Sequence, residues 1–122
     1  MGPSVLVVDD HASFRSEARA LLEADGLNVV GEAADAAGAL EEAARLQPDV
    51  VLLDIGLPDG SGLDIVGPLR DRAPGALVVL VSGRREAEYG RRVATSGADA
   101  FVEKIRLTPG AIPTLLAEIR PR

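Results

Sequence analysis

At 122 residues the chain has the size of one compact domain, and its hydrophobic content of 47% suffices for an ordinary core. Its apolar runs are too short to cross a membrane, nothing at the N-terminus suggests secretion, and the absence of cysteine excludes disulfides and thiolate metal sites. The formal net charge of −6 disfavours direct binding to nucleic acid phosphates. We therefore expect one cytoplasmic domain over residues 1–122, with no membrane contact and with any DNA-related role indirect.

The first half of the chain predicts two strands and two helices. Ser4–Val8 is a valine- and leucine-rich run, which is typical of a strand buried on both faces. Apolar residues then recur at i, i+4, i+7 and i+8, which predicts an amphipathic helix that closes near Gly26. The apolar face of this helix comprises Phe14, Ala18, Leu21 and Leu22. Leu27–Val30 is the second predicted strand, and Ala36–Leu46 is an alanine-rich helix that ends before Pro48.

The middle of the chain repeats this alternation. Asp49–Leu53 and Ala76–Val81 are two further apolar runs that predict buried strands. Gly62–Arg72 lies between them and has helical spacing, although Gly67-Pro68 should kink or shorten the helix.

Three elements complete the chain. They are a weak predicted helix at Arg85–Ser96, which contains Gly90, a short strand at Ala100–Glu103, and a last helix. Thr108 and Pro109 are expected to be the cap and the first-turn residue of that helix. Its apolar positions are Ile112, Leu115, Leu116 and Ile119.

The alternation of strands and helices favours a parallel sheet with helices on both faces. We expect an α/β fold, a flavodoxin-like doubly wound (βα)5 sheet with the strand order 2-1-3-4-5. In such a sheet the ligand site lies at the carboxyl ends of strands 1 and 3. Asp9 and Asp10 leave strand 1, and Asp54 leaves strand 3.

Asp9, Asp10 and Asp54 would bring three carboxylates into one crevice, where they repel each other unless a cation or protons neutralise them. Carboxylate oxygens favour a hard divalent ion, and Mg²⁺ suits a site with few protein ligands and several waters. The sequence offers no set of His and Cys ligands of the kind that zinc prefers. The alternative is that each aspartate only caps a helix or begins a turn. We interpret His11 as a helix-entry residue rather than a metal ligand.

Two residues at the ends of the last two strands extend this cluster. Strand 4 ends at Ser82-Gly83 and strand 5 ends at Lys104, so both reach the same edge of the sheet. A hydroxyl and a mobile ammonium can bind phosphoryl oxygens, and phosphoryl transfer depends mainly on positioning and on neutralising charge at those oxygens. Taken singly, Ser82 would be a turn residue and Lys104 a solvated surface lysine.

Together these residues resemble the receiver domain of two-component response regulators, the CheY-like family. The resemblance rests on Asp9-Asp10, Asp54, Ser82-Gly83 and Lys104, and on the LPDGSG sequence at residues 57–62. It covers the chain from Ser4 to about Ile119. The segments DDHASFR, VVGEAAD, PDVVLLDIGLPDGSGLD and SGADAFVEK are most similar to the NarL/FixJ-type (LuxR-class) regulators.

The resemblance implies a phosphoacceptor signalling domain rather than an enzyme. Asp54 would accept a phosphoryl group from a sensor histidine kinase and would also bind Mg²⁺. Asp10 would be a direct Mg²⁺ ligand, and Asp9 would hold the metal through water or orient the other ligands. The backbone carbonyl of Gly56 would be the remaining protein ligand.

The resemblance also implies how the phosphoryl group is held and read. Ser82 and Lys104 would bind its oxygens, and Phe101 would be the switch aromatic whose rotamer accompanies activation. A homodimer through helix 4, strand 5 and helix 5 is expected, as is control of a C-terminal helix-turn-helix domain. Because no such domain follows Arg122, we expect either an excised or a stand-alone receiver.

Three positions depart from the family pattern. Ile105 follows Lys104 where the family usually has proline, so the peptide between them is either trans or held by other contacts. The reach of Lys104 depends on that geometry. Gly56 has no side chain where the family often has a larger one, and Arg84 lies two residues after Ser82. Both positions tune the lifetime of the phosphate in this family.

Two other functions remain open from the sequence. The first is a degenerate receiver that acts as a constitutive protein-binding module, which Ile105 and the interrupted third helix would favour. The second is a small flavodoxin-like enzyme or nucleotide binder. The residues Gly60-Ser61-Gly62 lack the third glycine of a dinucleotide fingerprint, and the sequence has no GxxxxGK[ST] loop, so the second function is disfavoured.

Overall fold

The computed structural model describes residues 2–119, and five parallel strands form its centre. Numbered along the chain within this sheet, the strands are β1 (Ser4–Val8), β2 (Asn28–Ala33), β3 (Val50–Asp54), β4 (Leu77–Ser82) and β5 (Ala100–Glu103). Their spatial order is β2-β1-β3-β4-β5, and each neighbouring pair is parallel. The predicted flavodoxin-like order is therefore confirmed.

Helices cover both faces of the sheet. They are α1 (Ala12–Ala24), α2 (Ala36–Leu46), α3 (Gly62–Arg72), α4 (Arg92–Thr95) and α5 (Ala111–Glu118). Buried residues of α2, α3 and α4 pack on one face, and buried residues of α1 and α5 pack on the other, which confirms the doubly wound prediction. Within residues 2–119, no helix combines the length and the apolar character that crossing a bilayer would require.

The two central strands owe their position to their composition. All five residues of β3 are buried, and so are four of the five in β1. A strand that is apolar on both faces is stable only between two covering layers. The carboxyl ends of β1 and β3 therefore lie side by side at one edge of the core, and Asp54 is the last residue of β3.

The segment after β4 differs from its prediction. A helix over Arg85–Ser96 is wrong: a single 3₁₀ turn at Glu86–Tyr89 is followed by Gly90 and then by the short helix α4. Gly90 has φ +59° and ψ −133°, a conformation that glycine adopts without the steric cost that a side chain would meet. This residue separates the two short helical turns.

The start of the last helix also differs. Thr108 is not its cap, because Gly110 precedes the first helical residue with φ +84°. The N–H of Gly110 donates to Asp25 Oδ2 at 2.9 Å, which ties the start of α5 to the end of α1. Ile119 lies just beyond the end of the helix rather than within it.

Two features surround the turn after β3. Residues Gly56–Leu57 and Gly60–Ser61 form a small antiparallel ladder that the sequence did not predict. A Cβ at Gly62 would lie 2.4 Å from the carbonyl oxygen of Asp54, so only glycine permits this close approach. The predicted shortening of α3 is wrong, because the helix continues through Pro68 to Arg72.

Candidate functional site

The predicted carboxylates meet at the carboxyl edge of the sheet. Asp9, Asp10, Asp54 and His11 each offer a ligand atom, and these atoms all lie within 4.8 Å of one another. Asp9 and Asp54 are buried, whereas Asp10 and His11 are exposed. The register explains the convergence, because Val8 pairs with Leu53 and the residue that follows each of them in the chain is an aspartate.

Lys104 reaches into this cluster from the end of β5. Its Nζ lies 2.6 Å from Asp9 Oδ2 and 3.8 Å from Asp54 Oδ2. The ammonium also lies 4.3 Å from the centroid of the Phe14 ring, a cation–π contact that supports its position. The described part of the chain has no cis peptide, so Lys104 makes these contacts with a trans bond to Ile105. The trans alternative holds, and it does not prevent Lys104 from reaching the carboxylates.

The two buried carboxylates have pKa values displaced in opposite directions. Burial, with the neighbouring charge of Asp9, raises the pKa of Asp54 to about 6, although Lys104 and the N–H of Gly56 oppose the rise. Burial would also raise the pKa of Asp9, but hydrogen bonds from Lys104 and from the backbone of His11 lower it overall. Asp9 is thus the charged partner of Lys104, and Asp54 is ionised only above a weakly acidic pH.

His11 takes part in the cluster as well as beginning a helix. It is the N-cap residue of α1, as predicted, and its backbone N–H donates to Asp9 Oδ1 at 2.8 Å. Its Nδ1 lies 3.0 Å from Asp9 Oδ1 and 3.1 Å from Asp10 Oδ1. The imidazole therefore bridges two carboxylates at the solvent-facing side of the cluster.

The donor set fits a hard divalent cation. Three carboxylates supply oxygen ligands, and Asp10 faces solvent, where coordinated waters can remain. Gly56 is exposed directly after the Asp54 turn, and its N–H lies 3.3 Å from Asp54 Oδ1. Ligation by the Gly56 carbonyl stays a prediction.

Ser82 lies beside the cluster at the end of β4. The register pairs Asp54 with Val81, the residue immediately before Ser82. Ser82 is buried, and its Oγ accepts the N–H of Arg84 at 3.0 Å. The Arg84 residue itself is exposed, so its predicted influence on phosphate lifetime stays a prediction.

Tyr89 is a neighbour of Ser82 that the sequence analysis missed. Its Oη lies 2.5 Å from Ser82 Oγ, and its ring is tilted by 59° against Phe101 at a centroid distance of 6.1 Å. Phe101 is partly buried on β5, and its assignment as a switch residue is not tested by this arrangement. The available signal was that this chain has a single tyrosine, seven residues after Ser82.

Two further residues hold the loops of the site and were also missed. The carboxylate of Asp59 accepts the N–H groups of Ala36 and Ala37 at 2.7 and 3.1 Å, so the loop after β3 caps helix α2. Arg15 on α1 donates to the carbonyl oxygen of Asp9 at 2.7 Å and to Glu32 Oε1 at 3.0 Å. These contacts fix the loops that carry Asp9 and Asp54.

The family profile of the response regulator receiver domain matches residues 5–116. The chain belongs to this family. Receivers of this kind are signalling domains of two-component systems that histidine kinases phosphorylate, and they bind Mg²⁺ at an acidic pocket. This receiver has an acidic cluster of Asp9, Asp10 and Asp54 at the carboxyl edge of its sheet.

Individual relatives support the assignment to NarL-type regulators. BvgA of Bordetella pertussis, a candidate positive transcription regulator of virulence factors, is 35% identical over 100 residues, which cover 82% of this chain and 48% of BvgA. The signal receiver domain of NarL from Mycobacterium tuberculosis matches with a TM-score of 0.82 and 30% identity, over 96% of this chain and 98% of that domain. The receiver spans about half the length of the curated relatives it matches.

One solved relative contains a modified site. A response regulator from Burkholderia pseudomallei has a phosphorylated aspartic acid and was solved with a calcium ion and citrate. It matches this receiver with a TM-score of 0.79 and 26% identity, over 97% of this chain and 66% of that one.

Proposed function

We propose that Asp54 is the phosphoacceptor of this receiver and that Mg²⁺ binds beside it. The observation that carries the proposal is the convergence of three carboxylates and the Lys104 ammonium at the ends of β1, β3 and β5. Asp54 is the last residue of β3 and pairs with Val81, the residue immediately before Ser82. The phosphorylated aspartic acid and the divalent ion of the Burkholderia relative support the same chemistry.

In the proposed reaction, a carboxylate oxygen of Asp54 forms a bond to phosphorus. The bond from phosphorus to the imidazole nitrogen of the kinase's phosphohistidine breaks, and that nitrogen keeps the electron pair. The attacking oxygen must be ionised, which the raised pKa of Asp54 opposes below a pH of about 6. The chain therefore has to stabilise the Asp54 anion while the phosphoryl group arrives.

Three groups of the chain would supply that stabilisation. Lys104 can pair with a phosphoryl oxygen by moving away from Asp9, because the ammonium already lies 3.8 Å from Asp54. Ser82 can donate a hydrogen bond to a second oxygen. Asp9, Asp10, Asp54 and the Gly56 carbonyl would hold Mg²⁺, which when bound neutralises charge on the carboxylates and on the phosphoryl oxygens.

The family and its relatives support a proposal for the wider role. We propose that residues 1–122 form one cytoplasmic receiver domain that is not an enzyme for a separate substrate. On phosphorylation it would dimerise through α4, β5 and α5, with Phe101 as the switch aromatic. It would thereby control a DNA-binding domain of a transcription regulator without itself binding DNA. Gly56 and Arg84 would tune the lifetime of the phosphate.

The two sequence features that favoured a constitutive protein-binding module do not disturb the site. Helix α3 is continuous, and Lys104 contacts Asp9 despite Ile105. Neither feature therefore impairs the carboxylate cluster.

Incubation with acetyl phosphate and Mg²⁺ tests the proposal. Intact-protein mass spectrometry should show one added phosphoryl group, located on Asp54, in wild type and in the exposed control variant Asp71→Ala. The adduct should be absent in Asp54→Ala. Asp10→Ala should weaken Mg²⁺ binding and slow the labelling. A wild-type protein that stays unmodified, or an adduct that persists in Asp54→Ala, would refute the assignment.

A further inference from the structure

Tyr89 lies outside the carboxylate cluster and contacts one of the groups proposed to bind the phosphoryl oxygens. Its Oη lies 2.5 Å from Ser82 Oγ. The same Oγ accepts the N–H of Arg84 at 3.0 Å, and Ser82 is only 4% exposed. With so little access for water, the protein largely determines where the Ser82 hydrogen points.

The hydrogen-bonding capacity of a serine hydroxyl determines where the Ser82 hydrogen points. The group has one hydrogen to donate and two lone pairs to accept with. The N–H of Arg84 occupies one lone pair. Either hydroxyl could donate in the contact between Tyr89 and Ser82, but a phenol is more acidic than an alkyl hydroxyl and is therefore the better donor, which favours donation from Tyr89 to the second lone pair. Neither neighbour then accepts the Ser82 hydrogen, which is available to an acceptor at the end of the sheet.

The phosphoryl group proposed for Asp54 would be such an acceptor. Ser82 ends β4 next to the last residue of β3, because Asp54 pairs with Val81 and the N–H of Ile55 donates to the Val81 carbonyl at 3.0 Å. The ring contact with Phe101 and the 3₁₀ turn at Glu86–Tyr89 fix the phenol against Ser82.

We propose that Tyr89 is a positioning residue for phosphoryl binding. Its phenol donates to Ser82 Oγ and directs the Ser82 hydrogen toward a phosphoryl oxygen on Asp54. The inference rests on the proposed function, since it requires Asp54 to carry the phosphoryl group. The opposite hydrogen bond, in which Ser82 donates to Tyr89, would hold the hydroxyl away from the phosphoryl group. The two arrangements predict opposite effects when the phenol oxygen is removed.

Tyr89→Phe is the decisive variant, because it keeps the ring beside Phe101 and removes only the hydroxyl. The affinity for beryllofluoride at saturating Mg²⁺, measured by titration calorimetry, should fall about three- to tenfold, the worth of one hydrogen bond. Mg²⁺ affinity without beryllofluoride should be unchanged. Ser82→Ala should also weaken beryllofluoride binding, and adding Tyr89→Phe to it should have no further effect. Ser82→Thr keeps a hydroxyl, so the sensitivity to Tyr89→Phe should persist there.

Several results would overturn the inference. They are tighter or unchanged binding in Tyr89→Phe, an equal loss in the Ser82→Ala background, or an altered Mg²⁺ affinity. Wild-type protein that neither binds beryllofluoride nor is labelled on Asp54 by acetyl phosphate would overturn the proposed function, and the role of Tyr89 with it. Normal wild-type binding with an unaffected Tyr89→Phe would overturn only the role of Tyr89.

Discussion

Asp54→Asn in metal-free protein should measure the electrostatic cost of this buried carboxylate. The pKa of Asp54 is raised from 3.8 to about 6 in the folded chain, mainly by burial and by the charge of Asp9. The folded state therefore binds the proton more tightly than the unfolded state does. The wild-type protein therefore loses folding free energy when this carboxyl ionises. The full stability is present below the pKa of the unfolded state, and it is lost as the pH rises through the pKa of the folded state.

The expected difference in stability follows from the size of the pKa shift at Asp54. A shift of about two pKa units corresponds to about 3 kcal/mol at pH 8, since one unit is worth about 1.4 kcal/mol. An asparagine carries no charge at any pH and removes this cost. Its side chain is a weaker hydrogen-bond acceptor for the Gly56 N–H and for Lys104, and this loss offsets about 1 kcal/mol of the stability gained. The variant should therefore be more stable than wild type by about 1–3 kcal/mol at pH 8 and nearly equal to it at pH 4.

Urea unfolding in EDTA at pH 8 and pH 4 would measure both differences. Glu17→Gln, which neutralises an exposed carboxylate on α1, serves as the matched control and should change the free energy of unfolding little at either pH. An Asp54→Asn variant that is less stable than wild type at pH 8 would refute an electrostatic cost at Asp54. A gain in stability of the same size at both pH values would refute it as well.

Three further substitutions test other contacts. Lys104→Met removes the ion pair between Lys104 and the buried Asp9 carboxylate, so the free energy of unfolding in EDTA should fall by about 2–4 kcal/mol at pH 7. Saturating Mg²⁺ should restore part of the lost free energy of unfolding, measured by urea unfolding. A stability that does not rise with Mg²⁺ would argue against cation binding. Asp59→Asn weakens the cap of α2 and should lower the melting temperature at pH 7. Because the N–H groups of α2 lower the pKa of Asp59 in the folded chain, this difference should shrink as the pH falls toward 3, and a constant difference would contradict it. Arg70→Ala removes the hydrogen bonds from α3 to Gly97 and Asp99 and should cost about 1–3 kcal/mol in urea unfolding. The surface control Arg45→Ala should cost less, and an equal cost would contradict the argument.

The sequence predicted the fold closely because the buried faces of strands and helices require apolar residues at regular spacings. The first and last sheet strands and the second and third helices have the predicted bounds, and the other three sheet strands differ at their ends by one to three residues. The carboxylate cluster was predictable too, since Asp9 and Asp10 follow β1, Asp54 ends β3, and the carboxyl ends of these two strands must lie at one edge. Periodicity does not report a backbone break such as Gly90, nor a cap such as Gly110.

The contacts that support the site were harder to predict. Tyr89 reaches Ser82 only because the 3₁₀ turn at Glu86–Tyr89 replaces the predicted helix. Asp59 caps a helix that begins 23 residues earlier, and Phe14 contacts Lys104 from the other end of the chain. Such pairs depend on how loops fold against each other, and local patterns carry no signal for that. The roles of Asp54, Ser82 and Phe101 in signalling stay predictions until phosphorylation is measured.

The aromatic content gives this receiver an optical property. The chain has one tyrosine and no tryptophan, so its near-ultraviolet emission comes almost entirely from a single side chain. That side chain has its ring against β5 and its hydroxyl against the residue beside Asp54. A rearrangement that alters either contact changes the surroundings of this fluorophore. Stopped-flow emission of the unlabelled protein could therefore time the conformational response to a phosphoryl donor, with no dye or engineered tryptophan.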